Sequence, residues 1–120
     1  MGIQSYRDLR VWQEAMALAE LAYGLTKPFP KEEIFGLVSQ MRRSSVSVAA
    51  NIAEGYGRQS TGNYIQFLRI AQGSLKELET LSILSNRVGL LPASGLNELL
   101  ERSEASGKML RSLIRSLEKP

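Results

Sequence analysis

The sequence predicts an all-α protein, an antiparallel up-down-up-down bundle of four helices formed by a single domain over residues 1–120. Three observations carry this prediction. Apolar residues recur at three-four spacing in four long segments, Pro or Gly separates those segments at short intervals, and no stretch alternates apolar and polar residues as a half-buried strand does. With 43% hydrophobic and 22% charged residues in 120, the chain has a globular composition and the length to bury one core.

Helix one starts behind Ser5 and Asp8, which have the spacing of a capping pair. Leu9, Trp12, Ala15, Met16, Ala19, Ala22 and Tyr23 follow at helical intervals to about Thr26. Trp12 and Tyr23 read as core aromatics, whereas Tyr6, Tyr56 and Tyr64 suit either core or interface. Pro28 and Pro30 end the helix. Helix two reads as one long element between Phe29 and Arg58. Lys31-Glu32-Glu33 opens it with carboxylates at the positive dipole end, and Gly55 and Gly57 serve as left-handed terminators. Ile34, Leu37, Met41, Val48 and Ile52 form its core face. Helix three spans Thr61 to Val88, with Tyr64, Phe67, Leu68, Ala71, Leu75, Leu78 and Leu81 inward and Gly89 as its C-cap. After Pro92, Ser94 caps helix four, whose apolar positions are Leu96, Leu99, Leu100, Leu110, Leu113, Ile114 and Leu117.

Composition excludes whole classes of chemistry. The absence of cysteine and histidine removes disulfides, thiolate nucleophiles, the commonest general base and the commonest zinc ligand. Glu54, Glu77 and Glu79 are the only acids in the middle of the chain, and no Glu-x-x-His motif accompanies them. We therefore expect no enzyme, no catalytic residue, no metal and no cofactor. No apolar run reaches the twenty or so residues of a membrane span, and the N-terminus lacks signal-peptide character, so a cytoplasmic location is expected. Residues 55–62 resemble a phosphate loop in composition only, since the Walker spacing is missing.

Two stripes remain as candidates for assembly or binding. Gln40, Ser44, Ser47, Asn51, Glu54 and Arg58 fall within about 80° on helix two. Ser, Asn and Gln are indifferent helix formers that hold interior positions by bonding something specific. The stripe is expected to be polar packing between helices or subunits, in which Asn51 and Gln40 satisfy buried groups and Arg42 or Arg43 meets an acid such as Glu77. Small residues gather at mid-height, with Ser47 facing the level of Gly73 and Ser74. A mid-helix glycine costs about 1 kcal/mol relative to alanine, so Gly73 and Gly107 predict close helix approach, either within the monomer or between subunits. The second stripe is basic. Lys108, Arg111, Arg115 and Lys119 lie within about 80° on helix four, with Arg58 on a neighbouring segment and a net charge of +3. Such a surface suits RNA or DNA phosphates. Glu101 and Glu104 continue the stripe, and Glu104 can pair with Lys108, as on a solvated face.

Leu9-Arg10-Val11-Trp12-Gln13, Phe35-Gly36-Leu37, Gln40-Met41-Arg42-Arg43, Asn51-Ile52-Ala53-Glu54-Gly55 and the run from Ile70 to Thr80 together resemble one family over nearly the whole chain. It is the four-helix-bundle family of proteins encoded by intervening sequences in bacterial 23S ribosomal RNA genes, which includes the accessory variability determinant of diversity-generating retroelements. The resemblance implies a ring-shaped homopentamer, and for the retroelement members a nucleic acid and a reverse transcriptase as partners. It offers no catalytic residue. A protein-interaction scaffold or accessory subunit without direct nucleic-acid contact is the alternative.

Overall fold

The computed structural model describes residues 2–120. Four helices make up most of it: α1 (Arg10–Thr26), α2 (Ser39–Tyr56), α3 (Thr61–Arg87) and α4 (Ala93–Glu118), with no strand among the described residues. Each packs on two neighbours, in the order α1, α2, α3, α4 and back to α1, and the α2/α3 seam is the most extensive. The result is an elongated bundle of 48 × 24 × 23 Å.

The Ser5 and Asp8 pair caps as expected, but on a smaller element. Ser5 Oγ accepts from Arg7 N at 3.1 Å, and Asp8 Oδ2 accepts from Gln4 N and Ser5 N at 3.1 and 3.2 Å. What they cap is a single 3₁₀ turn, Tyr6–Asp8. Leu9 is extended, with φ −71° and ψ 125°, and α1 begins after it. At the other end the Thr26 hydroxyl donates to Ala22 O at 2.8 Å, and the two prolines follow.

The segment expected to be one helix from Phe29 to Arg58 is broken. A 3₁₀ turn, Lys31–Glu33, leads into a π-helical turn, Ile34–Val38, and regular α-helix starts only at Ser39. The cause is local. Glu33 folds back to accept from Leu37 N at 3.3 Å, and Gly36 bends the backbone to φ −107°, ψ −113°, far outside the helical region. A Cβ at Gly36 would lie 2.9 Å from Glu33 Oε1, so the carboxylate cap and the glycine go together. The bend rotates Ile34 off the core face, leaving it 48% exposed, and puts Phe35 at 94%.

Neither Gly55 nor Gly57 is a left-handed terminator. Gly89, at φ +84°, is the only described residue with positive φ, and it closes α3 as expected while Leu90 N and Leu91 N both reach back to Ser85 O. Gly55 is instead a close-approach residue: a Cβ there would stand 2.8 Å from Phe67 Cβ across the α2/α3 seam. Ser60 caps α3 by accepting from Asn63 N at 3.1 Å. Ser94 caps nothing. It sits inside the first turn of α4, whose N-cap is Pro92 without a side-chain bond.

Leu18, Met41, Val48, Ile52, Leu68, Leu78, Leu99 and Leu110 are fully buried at the centre. Buried serines among them are satisfied within their own helices. Ser45, Ser82 and Ser85 donate to Arg42 O, Leu78 O and Leu81 O at 2.7–2.8 Å, the local bonding that makes Ser tolerable in a helix interior. Across the seam Ser85 Oγ lies 3.4 Å from Met41 Sδ.

Candidate nucleic-acid interface

The basic stripe of α4 is on the surface. Lys108, Arg111, Arg115 and Lys119 are all exposed. Lys108 Nζ stands 3.8 Å from Glu104 Oε1, the expected pair. Glu118, one turn from Arg115, is drawn across to α3 and held by Arg69 Nη2 at 2.8 Å. Arg111, Arg115 and Lys119 form no ion pair among the described residues. Three exposed cations along one helix face keep their full field for an external anion. Arg58 stands apart from them. Its guanidinium stacks 4.7 Å above the Phe67 ring at the start of α3, beside an edge-to-face pair of Tyr56 and Tyr64 with centroids 6.1 Å apart. Burial, and then the neighbouring Tyr56, push the Tyr64 phenol above its usual 10.0.

The polar stripe of α2 divides in the structure. Ser47 Oγ and Ser74 Oγ share a 2.8 Å hydrogen bond across the α2/α3 seam, and Asn51 Nδ2 donates to Ser47 O and Ser47 Oγ at 2.8 and 3.0 Å. These three are the half-buried network the sequence suggested. Gln40, Arg43 and Glu54 are exposed and take no part. Arg42 does not meet Glu77, which is exposed on α3 without an ion pair. Instead Arg42 Nε donates to Thr26 Oγ1 at 3.0 Å and Nη2 to Tyr23 O at 3.4 Å, with its guanidinium 4.5 Å over the Tyr23 ring. The C-terminus of α1, with its unpaired carbonyls and negative dipole end, supplies what an acid was expected to supply.

Two grooves flank this centre. Between α1 and α2 lies one of about 810 Å³, lined by Tyr6, Trp12, Met16, Tyr23, Val46 and the alanines 49, 50 and 53. Trp12 and Tyr23 are therefore not core aromatics: Trp12 is half-buried against Tyr6, with centroids 5.3 Å apart, and Tyr23 is 45% exposed. Between α3 and α4 lies a polar groove of about 680 Å³. Glu79 sits in it, accepting from Ser103 Oγ at 2.5 Å and from Lys76 Nζ at 3.4 Å. Gly73 and Gly107 line it without the close approach expected of them. No atom of another element would lie within 4 Å of a Cβ at Gly73, and at Gly107 the nearest is the mobile end of Arg111 at 3.6 Å. Glu79, Lys76 and Ser103 were each visible in the sequence but unconnected. The available signal was one mid-helix glycine on each of two successive helices.

An all-α bundle of four helices, with no helix long and apolar enough to cross a membrane and no cluster of acids able to hold a metal ion among the described residues, defines the class. The chain belongs to the 23S rRNA-intervening sequence protein family, whose pattern matches residues 7–112. This is the family that the sequence motifs resemble. A crystal structure of a protein with unknown function from the S23 ribosomal protein family of Bacteroides thetaiotaomicron is similar in fold, with a TM-score of 0.81 and 27% identity over 88% of this chain and 95% of that one. Among curated proteins none matches.

Proposed function

We propose that the chain is a non-enzymatic, self-associating bundle that binds RNA or DNA phosphates through Arg58, Lys108, Arg111, Arg115 and Lys119. The observation that carries this reading is the row of exposed α4 cations, of which Arg111, Arg115 and Lys119 have no carboxylate partner among the described residues. Neutralising phosphates releases counterions, so binding should weaken linearly in the logarithm of salt concentration. Measured by fluorescence anisotropy on a labelled single-stranded RNA, reversal of Arg111, Arg115 and Lys119 to Glu should abolish binding at low salt and remove about three units from the salt slope. An unchanged slope would overturn the assignment of the surface.

An antiparallel course is supported by the cross-helix contacts, in which α2 numbers rise as α3 numbers fall: Met41 with Ser85, Ser47 with Ser74, Gly55 with Phe67. Assembly into a ring, a pentamer by family resemblance, is supported by the apolar α1/α2 groove and by Phe35. A closed ring needs two different surfaces on each subunit. The groove offers a receptor floored by small alanines, and Phe35 on the kink offers a protruding aromatic from the next copy. The same groove favours the second reading, a scaffold that receives another protein such as a reverse transcriptase. A heteromeric complex that survives high salt and nuclease would support the scaffold.

A further inference from the structure

The groove between α3 and α4 holds an unexplained cost. Gly73 is an exposed residue in the middle of a 27-residue helix, where glycine is about 1 kcal/mol worse than alanine, and nothing packs against the space it leaves. Gly107 opens the facing helix in the same groove. Together they keep clear a volume of about 680 Å³, within the roughly 300–1,000 Å³ of small-molecule sites. Its walls combine Leu75, Ile83 and Leu100 with a carboxylate, Glu79, that is only 21% exposed. A dry protein contact suits such a lining poorly, because it would bury the charges of Lys76, Glu79, Glu104 and Arg111 together.

We propose that this groove receives one unpaired guanine of a bound nucleic-acid strand. An ionised carboxylate only accepts hydrogen bonds, and among the four bases guanine alone presents two adjacent donors, N1–H and the exocyclic amine, to a carboxylate's two oxygens. Ser103 Oγ, fully buried, fixes the Glu79 carboxylate by its 2.5 Å bond to Oε2. Lys76, 77% exposed and 3.4 Å from Oε1, is held weakly enough to turn toward a phosphate. The aliphatic walls pack the faces of the ring, as apolar side chains do around extruded bases. Arg111 belongs both to the groove and to the basic stripe, so a strand whose phosphates follow α4 has its bases beside the opening.

This inference rests on the phosphate-binding reading, and the test separates the two. Two labelled oligouridine strands, one with a single central guanine and the other with adenine in its place, are titrated against the whole protein. The guanine strand should bind on the order of tenfold more tightly, the discrimination of one bidentate base contact. Glu79→Gln and, independently, Gly73→Leu should erase the preference while leaving the affinity for the adenine strand and its salt slope in place. Gly73→Leu fills the groove without altering a charge and enters open space on a helix, so it remains informative if Glu79→Gln is poorly folded. Equal affinities in the wild type, or a preference that survives both variants, would overturn the guanine site and spare the phosphate surface. If neither strand binds at low salt, the phosphate reading fails. The groove is then judged with guanosine monophosphate alone, which must shift the Gly73 and Gly107 amide resonances or the site is rejected.

Discussion

The two grooves sit on opposite sides of the α2/α3 seam and differ in kind. The α1/α2 groove is aromatic and aliphatic, and the small residues at its base are alanines, which favour helix and narrow the gap. The α3/α4 groove has a carboxylate, two cations and two glycines, which weaken their helices and widen the gap. Apolar surface left open is relieved by covering it, so the first groove has the chemistry of an assembly surface. Polar side chains held by one another, around space that no side chain fills, have the chemistry of a site for a small polar group. The bundle thus separates the side that meets other copies from the side that meets ligand.

Substitutions that exchange the behaviour of the two sides test this division most severely. Val46→Glu places a charge in the apolar groove at a position already 44% exposed in the single chain, so the fold is spared. The particle mass, measured by light scattering, should fall to that of one chain, whereas Gly73→Leu in the opposite groove should leave it unchanged. The reverse pattern would mean that the two assignments are exchanged.

A smaller effect compares glycines at the seam and in the groove. Gly55→Ala drives a methyl to 2.8 Å from Phe67 Cβ and should destabilise the protein by about 1–3 kcal/mol, the usual cost of overpacking. Gly73→Ala meets nothing and should stabilise by about 0.5–1 kcal/mol. Urea unfolding of the two variants reads both signs, and equal shifts would remove the distinction between a glycine kept for packing and one kept for space.

The smallest expected effect lies at the end of the seam, at Tyr64. Its phenol is raised above 10.0 in the folded protein by burial and then by Tyr56. A raised folded value stabilises the protonated native state, so this contribution is complete below the unfolded value and is lost as pH rises through the folded one. Tyr64→Phe should flatten the alkaline loss of stability in thermal melts above about pH 10. A slope identical to that of the wild type would show that the ring is not desolvated by the seam.

Much of the fold was legible because helices announce themselves locally. Met41, Val48 and Ile52, or Leu68, Leu75 and Leu78, recur at the period of a helix and are buried for that reason. Gly89 and Ser60 end or begin a helix through bonds to residues at most five positions away. Errors arose where two local signals competed. Lys31-Glu32-Glu33 looked like a helix start, but Glu33 used its carboxylate on Leu37 N and Gly36 let the chain bend, so α2 began later and Ile34 and Phe35 turned outward.

The candidate sites were less legible because pairing across helices has no period in the sequence. That Ser47 would meet Ser74, that Arg42 would find the carbonyl end of α1 rather than Glu77, and that Glu79 would be held by Ser103 all depend on the rotation of each helix about its axis. The sequence by itself determined the class, the four helical segments, their inward faces and the basic stripe of α4, since each follows from the spacing of side chains on one helix. Only the tertiary structure decided which faces stay uncovered: whether a glycine such as Gly55 is filled by a neighbour or, like Gly73, left open depends on how far apart two helices come to rest. That distance is set by the sum of packing over the whole bundle, not by the residues at the position itself.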